Sequence, residues 1–323
     1  MIRSCALDAM GRVVQEVSPT QIIAHLLGGE GALWADFQSP EPQEIALLTQ
    51  VFKFHPLTIE DAVSRRYHHP KVDDLADHIF IITHEIDHDK FPHSLETEEL
   101  ALFLGRNYVV TVHWGASKSV DLVFEGCLRD GRSLSHGADF LAHRILDTVV
   151  DNYLPAVDLL EDRVRSLELA VLREPRRDVT PNVLEVQKQA FALKRMLTPE
   201  TEVVRRLSRR EFSVIQARTA LYFRDVFDHL MRLSDFVQSI DDRADATLRL
   251  YLAALSNRVN DVVKVLSIVA AIFLPLNLVA SIWGMNFVNL PLRDSPYGFA
   301  AIMGIMLVIM VVMLLVFRWR KWL

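Results

Sequence analysis

Two uninterrupted apolar runs dominate the end of the chain. Val265 to Trp283 reads VLSIVAAIFLPLNLVASIW, and Tyr297 to Phe317 reads YGFAAIMGIMLVIMVVMLLVF; neither holds a charged residue. Each has about the 20 residues a helix needs to cross a bilayer. Trp283 and Tyr297 stand where the runs meet the short connection, as aromatic residues do at a membrane boundary. Arg258 and Lys264 precede the first run, and Arg318, Arg320 and Lys321 follow the second. The connection between them carries only Arg293 and Asp294. The positive-inside rule therefore predicts both flanks in the cytoplasm and the connection outside.

The two runs differ in pattern. The second is apolar on every face, as suits a helix against lipid. Ser267, Asn277 and Ser281 of the first, with Asn260 just before it, lie in the order Asn260, Ser267, Asn277 and Ser281 at spacings of 7, 10 and 4 residues. Those gaps are about 2, 3 and 1 helical turns, so the four share one stripe. Val263, Leu266, Ala270 and Leu274 fall on or beside it and would form apolar constrictions. A polar stripe in a membrane must face a partner or a watery path. Two helices cannot enclose such a path, which calls for one helix from each of several copies, arranged in closed cyclic symmetry. Pro275 permits a local kink.

Upstream, the period changes. HIFIITHEI (His78 to Ile86), LALFLGR (Leu100 to Arg106) and NYVVTVHW (Asn107 to Trp114) read as strands. Ile45 to Phe52 and Thr58 to Ser64 read as short helices around the break at His55-Pro56. This predicts a domain of class α+β or α/β, between which periodicity does not choose. From about His136 long helices are expected: His143 to Leu172, kinked at Pro155, and Asn182 to Leu197, ended by Thr198-Pro199. From Thr219 no Pro or Gly appears until Pro275. That run predicts one helix of roughly 65 residues and about 100 Å, continuing into the first span.

Composition narrows the function. The chain has 323 residues and a formal net charge of -6, which argues against nucleic acid; the densest basic patch, Arg205 to Arg210, is short. Two cysteines far apart, Cys5 and Cys127, form neither a disulfide framework nor a zinc spacing. The N-terminal segment has no apolar core of a signal peptide, so the first domain is expected in the cytosol. No nucleotide loop, nucleophile motif or HExxH motif appears, so no enzyme activity is expected.

Trp283-Gly284-Met285-Asn286-Phe287 closes the first span and resembles the Gly-Met-Asn signature of the CorA-type divalent cation transporter family. The likeness extends over SNRVNDVVKVLSIVAAIFLPLNLVASIWGMNF, the tail FRWRKWL, FHPLTIED (Phe54 to Asp61), PKVDD (Pro70 to Asp74) and YFRDVFDHLMRL (Tyr222 to Leu233). The resemblance implies a funnel-shaped homopentamer in the cell inner (plasma) membrane, its first spans lining the pore and its second spans around them. It implies channel-like uptake of Mg²⁺, with Co²⁺ or Ni²⁺ as further cargo, and no catalytic cofactor. Gly284, Met285 and Asn286 would form the filter, where a ring of amide oxygens bonds to the water shell that Mg²⁺ gives up reluctantly. Asn260 would be a polar ring on the cytoplasmic side, and Val263, Leu266 and Leu274 gate positions. Asn277 stands where relatives often have threonine. Arg249 stands where some members carry a pore-facing aspartate, and is expected to point elsewhere or to pair with Asp245. Asp89 and Asp225 match acidic positions where neighbouring subunits of the family bind regulatory Mg²⁺. The loop VNLPLRDSP departs from the more acidic loop of many members.

Two other readings compete. Histidines 78, 84, 88 and 93 around Asp87 and Asp89 favour a zinc transporter of the same superfamily on ligand grounds. A membrane sensor or scaffold without transport would leave the polar stripe unexplained. The sequence is thus divided into a domain over 1–136, a helical region over 137–218, a stalk over 219–264, spans over 265–283 and 297–317, an outer loop over 284–296 and a basic tail over 318–323.

Overall fold

The structure, a computed structural model, describes every residue except 9, 28–30, 76, 89, 92–94, 174–177, 286–294, 321 and 323. The chain forms two compact units, Met1–Leu248 and Arg249–Leu323.

The first unit opens with strands β1 (Ile2–Leu7) and β2 (Val13–Gln15). Helix α1 (Pro19–Leu26) follows; the Ser18 side chain accepts from the Gln21 N–H and the Gln21 side chain accepts from the Ser18 N–H, a reciprocal cap. Strand β3 (Leu33–Gln38) leads to α2 (Pro42–Gln50) and α3 (Pro56–Val63), each with proline in its first turn, where a missing N–H costs nothing. Strands β4 (Lys71–Asp74), β5 (His78–Ile86), β6 (Thr97–Gly105) and β7 (Tyr108–His113) run antiparallel in succession. The tight β6–β7 connection requires Gly105, because a Cβ there would lie 2.2 Å from the Tyr108 ring. Helices α4 (Lys118–Asp130), α5 (Arg132–Ser135), α6 (Ala138–Asp151), α7 (Leu154–Arg173), α8 (Thr180–Ser208) and α9 (Ala217–Trp283) complete the order up to the last helix.

The sheet order is β2-β1-β3-β7-β6-β5-β4. Among the described residues, only β3 and β7 pair in parallel, with Leu33 opposite Tyr108. Strand β5 is buried along its whole length, which explains the apolar stretch Ile79 to Ile82 at its centre. Phe80 and Ile82 face a core with Leu48, Phe52, Phe54, Ile59 and Phe103, beneath α2 and α3. Phe54 stacks on Phe103 with centroids 4.0 Å apart. The opposite face is covered by α4 and α6; Trp34 meets Phe124 of α4 edge-on at 5.1 Å. The two edges are short. β2 has three residues, and β4 has four, with Lys71 held at 2.8 Å from both Asp61 and Asp73.

Asp36 is the buried hub of the central strands. It accepts from Arg3 Nε of β1 at 2.7 Å and from the Thr111 hydroxyl of β7 at 2.5 Å, and lies 3.3 Å from His113 Nε2. Burial alone would raise its pKa, but the bonds to His113 and Thr111 and the charge of Arg3 outweigh it and hold the carboxyl below the usual range.

Two expectations about the helices are corrected. The helix expected over His143 to Leu172 is two, α6 and α7, separated at Asn152 and Tyr153. The Asn152 amide donates to Glu85 and Ser119, and the Tyr153 hydroxyl donates to the His84 carbonyl, so tertiary bonds fix the turn. Pro155 then sits in the first turn of α7, where its lack of an N–H is harmless. The helix expected to stop at Thr198-Pro199 continues to Ser208. Pro199 costs one ladder bond, yet Met196, Leu197, Val203 and Val204 are buried on both sides of it. That burial outweighs the local preference of proline.

In the first part of α9, Phe223, Val226, Leu230, Leu233, Val237, Ile240 and Ala244 are buried. Their gaps alternate between three and four, the seam of packed helices. Arg243 clamps Glu168 of α7 at 2.9 and 3.0 Å.

The second unit contains the end of α9 and α10 (Gly298–Trp319), both long and apolar enough to cross a membrane. Each shields one stripe. On α9 these are Lys264, Ile268, Ala271, Ile272, Pro275, Leu276, Val279 and Trp283; on α10, Ile302, Met306, Ile309, Met313 and Phe317.

Candidate functional site

Eight predicted pore positions lie on α9: Asn260, Val263, Leu266, Ser267, Ala270, Leu274, Asn277 and Ser281. All eight are exposed within the single chain; Leu266 is 67% and Leu274 72% accessible. They occupy the face away from the shielded stripe. At about 100° per residue the two stripes point roughly 150° apart. The helix therefore hides an entirely different side from the one that carries its amides and hydroxyls.

At the end of α9, the Gly284 N–H donates to the Ala280 carbonyl at 2.9 Å and the Met285 N–H to Ile282 at 3.3 Å. A Cβ at Gly284 would come within 3.3 Å of the Ala280 carbonyl oxygen, so glycine eases a tight helix end. Met285 is half exposed. Asn286, the central residue of the expected filter, and Arg293 and Asp294 of the loop lie outside the described residues.

The second cluster is in the first unit, where α6 faces α9. His143, Asp147 and Asp151 recur every four residues along α6, and Tyr222, Asp225 and His229 follow one stripe of α9. One ligand atom each from Asp147, Asp151 and His229 lie within 4.8 Å of one another. His229 Nδ1 is 4.0 Å from Asp151 Oδ1. Burial raises the pKa of Asp147, and the charges of Asp151 and Asp225 add to it, against Arg144 at 3.1 Å. Burial pushes His143 down to about 4, with Arg144 contributing and Asp225 opposing. Carboxylates crowded in this way relax when a divalent cation enters. Two carboxylates and an imidazole can hold Mg²⁺ through water, or a borderline metal such as Co²⁺ directly.

Asp225 is thus near enough for its charge to act on both Asp147 and His143. Its expected partner Asp89 lies outside the described residues. The sequence reading missed Asp147, Asp151 and His229. The available signal was the pair of four-residue spacings, Asp147/Asp151 and Asp225/His229, but nothing in the sequence joins α6 to α9.

The histidines weighed for zinc are dispersed among the described residues. His78 and His84 are buried in β5, and His84 Nε2 donates to the His68 carbonyl at 2.7 Å. His88 Nε2 donates to the Asn152 carbonyl at 2.9 Å. His93 lies outside the described residues. Asp87 pairs with Lys90 at 3.2 Å.

Residues 29–321 match the family described as CorA-like Mg2+ transporter protein. The chain is 32% identical over 280 residues to the cobalt/magnesium transport protein CorA of Thermotoga maritima, covering 85% of this chain and 78% of that protein. Its fold resembles the complete structure of the CorA magnesium transporter from Methanocaldococcus jannaschii, with a TM-score of 0.84, 21% identity, and coverage of 100% and 99% of the two chains. The fold also resembles the ZntB cytoplasmic domain from Vibrio parahaemolyticus, with a TM-score of 0.64, 13% identity, and coverage of 80% of this chain and 98% of that one.

Proposed function

Since the chain belongs to the family of CorA-like Mg2+ transporter proteins, we propose that it forms a homopentameric membrane channel for hydrated Mg²⁺. The observation that carries this reading is the exposed polar stripe of α9. Asn260, Ser267, Asn277 and Ser281 have no shielding neighbour within the chain, while the opposite side of the helix is covered. Copies arranged around an axis would place this stripe on a common water-filled path. Leu266 and Leu274 would narrow the path and close it by dewetting. Asn286 would meet the incoming ion, its amide oxygen accepting from the ion's water shell. A neutral ring of this kind selects by size and hydrogen-bond geometry without stripping the ion. Both termini would be cytoplasmic, and flux would follow the electrochemical gradient.

The same reading assigns regulation to Asp225, reached by Asp89 of a neighbouring copy. Asp147, Asp151 and His229 extend this acidic region inside each copy. A cation there holds the closed state, and its loss lets like charges push the packing apart.

The test is Mg²⁺ influx into liposomes under an inside-negative voltage, with native mass spectrometry of the same preparation. The parent is expected to conduct as five copies, and Asn286→Ala to lose nearly all flux while remaining pentameric. Undiminished flux in that variant, or conduction by a monomer alone, overturns the proposal.

A further inference from the structure

Glu200 is completely buried in α8, one residue beyond Pro199. Its Oε1 accepts from the Thr83 hydroxyl of β5 at 2.8 Å, and its Oε2 has no hydrogen-bond partner. Among the described residues, the surrounding titratable groups supply no compensating cation; Arg195 of α8 lies over the Tyr67 ring at 5.7 Å. Tyr153, from the α6–α7 turn, is fully buried and gives its proton to the His84 carbonyl. Glu85 of β5 is engaged by Ser117, Ser119 and Asn152, and Tyr67 stacks on His84. On α8 itself, Arg206 donates to the Val72 carbonyl of β4 and binds Glu211. A carboxylate in this place would keep one bond and lose all of its water, so the acid keeps its proton when the helix is docked. Burial pushes its pKa up to about 8, with only the Thr83 bond acting against it.

We propose that docking of α8 on the sheet is proton-coupled: the helix closes onto β5 with Glu200 protonated, and as the surrounding pH rises the carboxyl leaves its site, ionises in water and carries the 196–204 turn with it. The weak point is built in, because Pro199 has already removed one bond of the helical ladder there. The strand that loses the Thr83 bond also anchors Tyr153 through the His84 carbonyl and the start of α4 through Glu85. Opening at Glu200 therefore reaches the turn between α6 and α7.

The linkage has a definite sign and range. The opened acid titrates near its ordinary value of 4.5 and the docked acid near 8. Between these values each opening releases one proton, so the opening constant rises about tenfold per pH unit and levels off above the docked value. Hydrogen exchange of the full chain in detergent, with rates corrected for intrinsic exchange, measures this for residues 196–204. The parent is expected to open roughly fifty times more readily at pH 8 than at pH 6. Glu200→Gln keeps an acceptor for Thr83 and is expected to remove the slope. Thr83→Val removes the bond and not the acid, so it is expected to open more at each pH with the slope intact. A flat profile in the parent or in Thr83→Val, or an unchanged slope in Glu200→Gln, overturns the proposal. Exchange in α8 involves no ion flux, so this outcome is independent of the transport reading.

Discussion

Replacing Asp147 with asparagine separates two effects of the α6–α9 cluster. Without a cation, the change removes repulsion from Asp151. Two unit charges within 4.8 Å of each other interact by at least about 3 kcal/mol at an effective dielectric of 20. The Asp151 side chain is 55% accessible, and solvent screening leaves about 1 kcal/mol of this. The change also removes the partner of Arg144, a partly exposed pair worth about 0–1 kcal/mol. The two nearly cancel, so the metal-free variant is expected to melt within a few degrees of the parent. With a cation at a hundred times its dissociation constant, the parent gains about 2.7 kcal/mol. For a unit of this size that is a rise of about 5–10 °C. Loss of one of three ligands that weakens binding about a hundredfold leaves RT ln 2, about 0.4 kcal/mol, or roughly 1–2 °C. The assay is thermal unfolding of the full chain in detergent, followed by tryptophan fluorescence, with Mg²⁺ or Co²⁺ added. Trp34 and Trp114 report on the first unit. A parental rise in the variant would refute the ligand role of Asp147.

Acid unfolding tests the Asp36 hub. Its carboxyl is held below the ordinary value in the folded chain, so its stabilisation is present above the ordinary carboxylate pKa and is lost as pH falls through the depressed one. Asp36→Asn is expected to lose about 3 kcal/mol at neutral pH, near the lower end for a broken buried pair because Arg3 keeps Asp121, and to flatten the acid limb; a denaturant titration at pH 3 and pH 7 with parental slopes in both would exclude this role. A cysteine at Ser295 is expected to react with an impermeant thiol reagent applied outside intact cells, and one at Ser166 not to react; the reverse pattern excludes cytoplasmic termini.

Signals carried by contiguous residues were legible. The run His78 to Ile86 is β5 to the residue, because its centre, Ile79 to Ile82, is the apolar stretch that a strand buried on both faces needs. The absence of Pro and Gly after Thr219 gave α9 to within two residues of its start. The sequence pattern names none of β1, β2 and β3. Their strand character is set by pairing, and Leu33 meets Tyr108 only through a parallel ladder across 75 positions. Pro199 misled for a related reason: a local rule was overruled by side chains packed from elsewhere. The polar stripe of α9 was readable because it repeats along one helix. The acidic cluster was not, because its ligands come from two helices about 80 residues apart in sequence.

The two margins of the sheet bear on how identical copies live side by side. A strand with free N–H and C=O groups is a template for another chain, and a homo-oligomer holds such templates at high local concentration. Here β2 offers three residues, too few to zip, and β4 offers four, among them Lys71, Asp73 and Asp74. Any copy adding a strand at β4 would have to strip water from those charges and separate Lys71 from Asp61 and Asp73. The margins of the sheet thus deny neighbouring copies fibrous growth from one chain to the next.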